Sequence, residues 1–465
     1  MVEDTEREGG ADTVAEPRRF EIDPHFVTLV TASAYDRDSP ELRRLVRGLH
    51  PADLADLVEH LPEEALNRLM RLIGPELPSA FLADIEWETR ERVLALLPAD
   101  YVSRALGELD TDDAAAVAAD LDEDKLAAAL AGADDETRLA VEQGLAAEED
   151  TAGRLMQREL VAAPEHWSVG DAIDHMRSED ANLPDVFFEI YVVDPGFRPI
   201  GSVPVSTLIR ARRETPLSEI MRPPQALIQP EMDQEEVAFV FRKYNLASAP
   251  VVDAAGRITG VLTVDDIVHV IQEEGEEDLL KLSGVSDASQ ADNVAMSVRA
   301  RAPWLMLNLV TEMTASVVIA LFAVSINKMV ALAVLMPIVS SLGGNAGTQS
   351  LAVAVRAIAA RELTAANATR FVLREVMAGA FNGALVGLVM AVVAGLWFHS
   401  AGLGLACALA VVLNLTCAGL AGSVVPLTLQ RFGLDPAVAS SVIVTWLTDL
   451  IGFLAFLGLA SAILF

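Results

Sequence analysis

Residues 303–325, 330–357, 374–398, 402–430 and 437–464 are five long apolar stretches. Each is near or above the roughly 20 residues that a helix needs to cross a bilayer. They commit the last third of the chain to a five-helix transmembrane bundle, because a spanning segment must satisfy its own backbone. Arg299, Arg301, Arg356, Arg361, Arg370, Arg374 and Arg431 all fall on one side of such a bundle, and only Lys328 falls opposite. The positive-inside rule puts the arginine side in the cytoplasm and, with an odd span count, the C-terminus outside.

Within this apolar block, residues 343–350 read Gly-Gly-Asn-Ala-Gly-Thr-Gln-Ser. Polar or irregular backbone at membrane depth survives where it faces protein or water. One reading is a pore or substrate site; the other is tight helix packing on the glycines. Packing explains Gly343, Gly344 and Gly347 well, and Asn345 and Gln349 less well. Pro337, just before, removes a helical hydrogen bond and can bend the span. Asp449 lies deep in the fifth span. A carboxylate there costs roughly 2.5–3.5 kcal/mol on an insertion scale and should face the bundle interior or water. Ser441, Thr445, Asp449 and Gly452 recur at helical spacing and make one narrow polar stripe. Asn308 and Glu312, four residues apart in the first span, are secondary candidates, with Glu312 expected beside an arginine at the membrane edge or on the ion path.

The front of the chain has the opposite chemistry. The net charge is −33; from Arg299 onward there are eight basic and five acidic residues, so residues 1–298 carry 26 basic and 62 acidic ones. Such a surface repels nucleic acid and anionic lipid and attracts cations. The start, Met-Val-Glu-Asp-Thr-Glu, is acidic and has no apolar core, unlike a signal peptide. Cys407 and Cys417 are ten residues apart in one apolar stretch, about 15 Å along a helix, too far for a disulfide. No nucleophile–base arrangement or Walker-type loop suggests an enzyme. The histidines are scattered, so soft-metal ligation is not indicated.

Taken in order, residues 1–38 read as a flexible acidic tail. Residues 39–148 are short amphipathic helices punctuated by proline, a solenoid-like stack; Asp53, Asp56, Asp100, Asp110, Asp112 and Asp113 are expected on its exposed surface as solvated helix caps. Residues 149–275 contain an α/β repeat, 149–215 and 216–275. Tyr191-Val-Val-Asp194 matches Pro250-Val-Val-Asp253, and Pro199-Ile-Gly201 matches Ile258-Thr-Gly260. Two copies of strand–helix–strand–strand–helix resemble a tandem CBS domain pair, a regulatory module. In some such pairs a Thr-x-x-Asp step, here Thr263 and Asp266, holds the ribose of ATP or another adenine nucleotide; the first copy lacks that Asp. Residues 276–302 are a charged connector whose Leu279, Leu280 and Leu282 predict a helix lying against a partner surface.

The order of these parts, with Asp150-Thr-Ala-Gly-Arg-Leu-Met156, the Glu-Asp-Leu-Leu-Lys-Leu-Ser-Gly-Val connector and Pro337 followed by Gly-Gly-Asn-Ala-Gly-Thr-Gln-Ser, resembles the MgtE family of magnesium transporters and channels over residues 40–465. The resemblance implies a homodimer in the cell (inner) membrane, with one pore built from the second and fifth spans. It implies that Gly343, Gly344, Asn345, Gly347 and Thr445 line that pore and that Asp449 attracts the ion. It implies a plug helix at 276–302 and regulatory Mg2+ at Asp233, Glu235, Asp266, Glu277, Asp278 and, near the cytoplasmic mouth, Asp435. Asn245 and His269 stand where acids are expected, and the loop Ser325-Ile-Asn-Lys-Met329 is not acidic. Magnesium prefers oxygen ligands and dehydrates reluctantly, so carbonyls, Asn and Asp suit its hydrated form. Other readings are a transporter of another divalent ion, such as Co2+ or Ni2+, and a nucleotide-sensing CBS membrane protein.

Overall fold

The computed structural model describes residues 22–178, 183–184, 186–285, 294–364, 366–438 and 440–465. The chain divides into two compact units, meeting in sequence at Val268 and His269.

The front unit begins with short helices from Pro24–Tyr35 to Asp135–Leu145. Their starts are written locally. The carboxylates of Asp38, Asp122 and Asp134 accept backbone N–H groups of Glu41, Lys125 and Thr137 at 2.8–3.1 Å, the usual work of an N-cap residue. Leu54, Leu57, Leu69, Phe81, Val93 and Val102 close one core. Truncating one such leucine to alanine costs about 2–5 kcal/mol. The tail expectation fails for residues 24–35. They are helical, and Val30 and Ala34 are buried in that same core. Residues 1–21 lie outside the described residues.

The repeat that follows is visible in its turns. Asp194 Oδ1 accepts the N–H groups of Gly196 and Arg198 at 2.8 and 2.9 Å. Asp253 Oδ1 accepts those of Ala255 and Arg257, both at 2.9 Å. The same aspartate therefore closes the same hairpin in each copy. In the first copy Ala162–Pro164 pairs parallel with Glu189–Val193, which pairs antiparallel with Pro199–Pro204. The second copy keeps the antiparallel pair Ser248–Val252 and Ile258–Thr263. Its opening strand is reduced to a single bridge between Ile228 and Val251. The helical domain is tied to this pair by Thr111, whose hydroxyl donates to Glu159 and accepts the Arg158 N–H, both at 2.8 Å.

The membrane unit contains five helices long and apolar enough to cross a bilayer: Ser297–Leu321, Ala331–Ala359, Ala368–Trp397, Ala401–Arg431 and Ser440–Leu464. These are called spans one to five. Residues 286–293 of the expected plug helix lie outside the described residues, and among the described ones the connector is not a separate helix. Residues 276–282 end a helix running Val264–Leu282, and residues 294–302 belong to the helix that becomes span one. Span two is one helix through Pro337 and the whole Gly-Gly-Asn stretch, so the polarity there is carried on regular backbone. Spans three and four lie close: a Cβ on Gly383 would sit 2.8 Å from the Val412 Cα. Small residues permit such approaches in lipid. Span one is the least buried and is held to span five by Trp446, whose Nε1 donates to the Thr314 hydroxyl at 2.7 Å.

Candidate functional site

Asp449 is 7% exposed in the core between spans two and five. Its Oδ1 accepts the hydroxyl proton of Ser340 on span two. Ser340 carries no motif of its own, although residues 340, 343, 344 and 347 share one helical face. Asn414 of span four is fully buried, and its Nδ2 donates 2.9 Å to the Val339 carbonyl, one residue before Ser340. The Asn414 Oδ1 has no hydrogen-bond partner. A lone Asn among Val, Leu, Ala and Cys gave no signal of its own.

The Gly-Gly-Asn stretch divides between the two readings. Gly343 and Gly347 are buried helix contacts. A Cβ on Gly347 would meet Val444 Cγ1 at 2.6 Å, and one on Gly343 would strike the Asn414 amide. Gly344 faces Thr445 with room to spare, 3.9 Å from a built Cβ. Asn345, Thr348 and Gln349 lie on the exposed face. In span five, Thr445 is half-buried and Thr448 and Gly452 are buried beside Asp449. Glu312 of span one does not pair with a membrane-edge arginine. Its carboxyl hydrogen-bonds to that of Asp449.

The connector candidates Glu277 and Asp278 come together with Asp435 around Lys281. Lys281 Nζ lies 2.6 Å from Glu277 Oε1 and 2.9 Å from Asp435 Oδ2. Asp435 Oδ1 accepts the Ala437 N–H at 2.8 Å. Burial disfavours the Lys281 charge, but the two carboxylates outweigh it and raise its pKa. Asp278 is pushed up by burial and then by Asp435. Of the three connector leucines, Leu282 packs against Leu351, Val355 and Ala437, while Leu279 is exposed.

Asp233 and Glu235 have local work. Asp233 caps Gln234–Tyr244, its Oδ1 accepting the Glu235 N–H at 2.9 Å. Asn245 ends that helix at φ 51° and ψ 51°. This left-handed conformation is one that Asn, like Asp, tolerates better than most side chains. His269 is exposed.

Asp112 and Asp113 are not solvated caps. They are half-buried on the helix Thr111–Ala119, whose Ala114, Ala115, Val117 and Ala118 are all buried. The Asp112 Oδ1 is buried with no hydrogen-bond partner. Burial, then Asp266 and Asp113, hold the Asp112 carboxyl well above the usual range. Burial, then Asp266 and Asp110, push Asp113 up to about 7. Arg90, the basic group acting on Asp113, is itself bonded to Asp120 at 2.6 Å. Among the described residues no three His, Cys, Asp or Glu side chains converge to ligate one ion directly.

Thr263 is buried and donates 2.5 Å to Asp266 Oδ2. It lines a narrow cleft with Val161, Phe187, Phe188, Tyr191 and Ser248, and with the acids Glu159 and Glu189. Aromatic and apolar walls suit a purine, and the Thr263–Asp266 pair suits a ribose. Among the described residues the lining supplies no basic group for phosphates.

Known proteins place the parts. Residues 336–459 match the MgtE family of divalent cation transporters, residues 49–150 the MgtE intracellular N domain, and residues 152–214 and 217–273 CBS domains. Over 321 residues the chain is 33% identical to the magnesium transporter MgtE of Enterococcus faecalis, covering 69% of this chain and 71% of that one. The chain belongs to the MgtE family of magnesium transporters. The MgtE of Bacillus subtilis is 32% identical over 67% of this chain and 69% of its own. That of Thermus thermophilus is 34% identical over 70% and 73%. Among solved structures, the soluble part of a magnesium transporter is 25% identical, covering 54% of this chain and 98% of that one, with a TM-score of 0.47. The cytosolic domain of the Mg2+ channel MgtE in complex with ATP is 30% identical, covering 52% and 99%, with a TM-score of 0.48. The MgtE family comprises transporters rather than enzymes, and this member is a multi-pass membrane protein.

Proposed function

We propose that the protein is a magnesium-selective channel of the cell membrane, closed by cytoplasmic Mg2+ bound to its acidic front. The observation that carries the reading is Asp449: a carboxylate deep in a membrane helix, held by Ser340 beside the Gly-Gly-Asn stretch. Such a charge is expensive in lipid and marks an ion path. Asn345, Thr348 and Gln349 point off the protomer at the same depth. Polar side chains there need protein or water beyond them, which supports a homodimer whose second copy completes the pore. Gly347 then brings span two against span five and Gly343 brings it against Asn414 of span four, while Asn345, Gly344, Thr445 and Asp449 face the ion. The ion passes hydrated, held loosely enough to leave. The arginine distribution supports a cytoplasmic N-terminus and an external C-terminus.

Regulation is assigned to Asp110, Asp112, Asp113 and Asp266, whose crowding raises the two middle carboxyls. A divalent cation neutralises them through its water shell. Asp266 stands in the first turn of the helix whose last turn carries Lys281, so the cation acts on the element that leads to the membrane unit. Asp233 and Glu235 are secondary regulatory sites, and Glu277, Asp278 and Asp435 a further one that Lys281 shares. The Thr263 cleft takes the nucleoside end of an adenine nucleotide, which adjusts the sensor.

Magnesium uptake into proteoliposomes tests the reading, with intact protein against Asp449→Asn and with Co2+ and Ni2+ as competitors. Uptake should fall at least about a hundredfold in the variant, as expected when a path carboxylate is lost. Uptake unchanged in the variant removes Asp449 from the path. Equal transport of Co2+ or Ni2+ replaces magnesium selectivity with a general divalent path.

A further inference from the structure

Glu312 lies 11 residues beyond Arg301 in one helix, a rise of about 16 Å. That is about half the thickness of a hydrocarbon core, so its carboxyl stands at mid-depth. No described basic side chain pairs with it. It instead faces an open cleft of about 560 Å³ lined by spans one and five and, at one side, by Ser283, Gly284 and Val285 of the connector. Span one supplies Arg301, Trp304, Asn308 and Glu312 to this cleft, and span five supplies Ser441 and Thr445. At the inner end the Glu312 carboxyl reaches Asp449. The Trp446–Thr314 bond fixes the register of the two helices at the same level. Two polar stripes, one on each helix, thus face each other across an open space and end at two adjoining carboxyls.

A carboxyl used only for packing would have an ionic or backbone partner, because an unpaired charge in lipid is costly. Glu312 has another acid as its neighbour; the two carboxyls share a proton when no cation is at hand and can both be charged only when one is. We propose that Glu312 is the second carboxylate of the ion path. It acts with Asp449 on the hydrated cation and sets the preference for divalent over monovalent ions. The inference rests on the channel reading and adds to it a residue outside the two spans that carry the Gly-Gly-Asn stretch and Asp449. Each protomer then presents two negative charges to the ion, and a divalent ion gains twice what a monovalent ion gains from each. Asn308 and Thr445 supply neutral oxygens that hold the ion's water without closing a cage.

The test is Mg2+ uptake by the full chain in proteoliposomes, with Na+ as the competing ion, for wild type, Glu312→Gln, Glu312→Asp and Asp449→Asn. Losing one of two charges a hydration shell away from the ion is worth about tenfold. Glu312→Gln should therefore raise the KM for Mg2+ about tenfold and lower Mg2+ preference over Na+ by a similar factor, with kcat little changed. Glu312→Asp keeps the charge and should stay within about threefold of wild type in both. Wild-type KM and ion preference in Glu312→Gln overturn the proposal. So does a Glu312→Asp chain as impaired as Glu312→Gln, which would mark a packing role. Loss of uptake in Asp449→Asn alongside a normal Glu312→Gln overturns this inference and leaves the channel reading standing. Normal uptake in Asp449→Asn overturns the channel reading itself.

Discussion

In the membrane unit Glu277, Asp278 and Asp435 gather beside Lys281; in the front unit Asp110, Asp112, Asp113 and Asp266 crowd together while Arg90 is spent on Asp120. The two clusters pose the same electrostatic problem. The first carries a tethered ammonium, present at the same local concentration whatever the solution contains. The second must find its cation in solution. A sensor needs the second kind of site, because only an untethered cation reports its own concentration. On the proposed reading the front cluster is the principal magnesium sensor. The Lys281 cluster is a secondary site whose ammonium already holds a contact, supported by Leu282 on Leu351, Val355 and Ala437.

Breaking the front cluster should have the largest effect. Asp112→Asn with Asp113→Asn removes the crowding and the ligands together. Limited proteolysis across a magnesium series should then need about 5–150-fold more magnesium for the same protection, the range that a coupling of 1–3 kcal/mol implies. A midpoint that does not move would return sensing to the other cluster. Lys281→Gln should act in the opposite sense. It leaves Glu277, Asp278 and Asp435 without their ammonium, so their contact becomes dependent on magnesium. These pairs are partly exposed and worth up to about 1 kcal/mol. Uptake at low front-side magnesium should therefore rise up to about fivefold and be suppressed again at high magnesium; indifference to magnesium would break the comparison.

The smallest effect is one of pH. The folded front unit holds protons on Asp112 and Asp113 at pH values where the unfolded chain, with carboxyls near 4, has shed them. Without magnesium the folded state therefore binds more protons, and stability falls as pH rises from about 4 to about 7. Magnesium should flatten that fall by replacing the protons. Melting curves between those limits, with and without magnesium, check the sign. A stability that rises over this window would mean that the two carboxyls are not crowded.

Much of this architecture was legible in the chain because its signals are long or duplicated. Five apolar runs gave five spans to within about six residues at each end, which is near the usual uncertainty of boundaries, and the two Asp-closed hairpins revealed the repeat. The sites were less legible because they depend on which surfaces meet. Asp112 and Asp113 look like helix caps, and the alanines around them carry too weak a pattern to show that the helix is buried on several sides. A Cβ on Gly144 would approach Ala115 at 2.6 Å; such close packing is silent in a hydropathy profile. Ser340 was within reach of helical periodicity. Asn414 and the meeting of Glu312 with Asp449 join residues more than 70 positions apart, which single-chain patterning does not encode.

The most direct test of magnesium gating is uptake measured while magnesium on the side bearing the front unit is varied. Wild type is compared with Asp112→Asn, Asp113→Asn. The account predicts that front-side magnesium shuts off wild-type uptake and that the double variant stays open at the magnesium concentrations that close the wild type. Equal shut-off in both chains would contradict it.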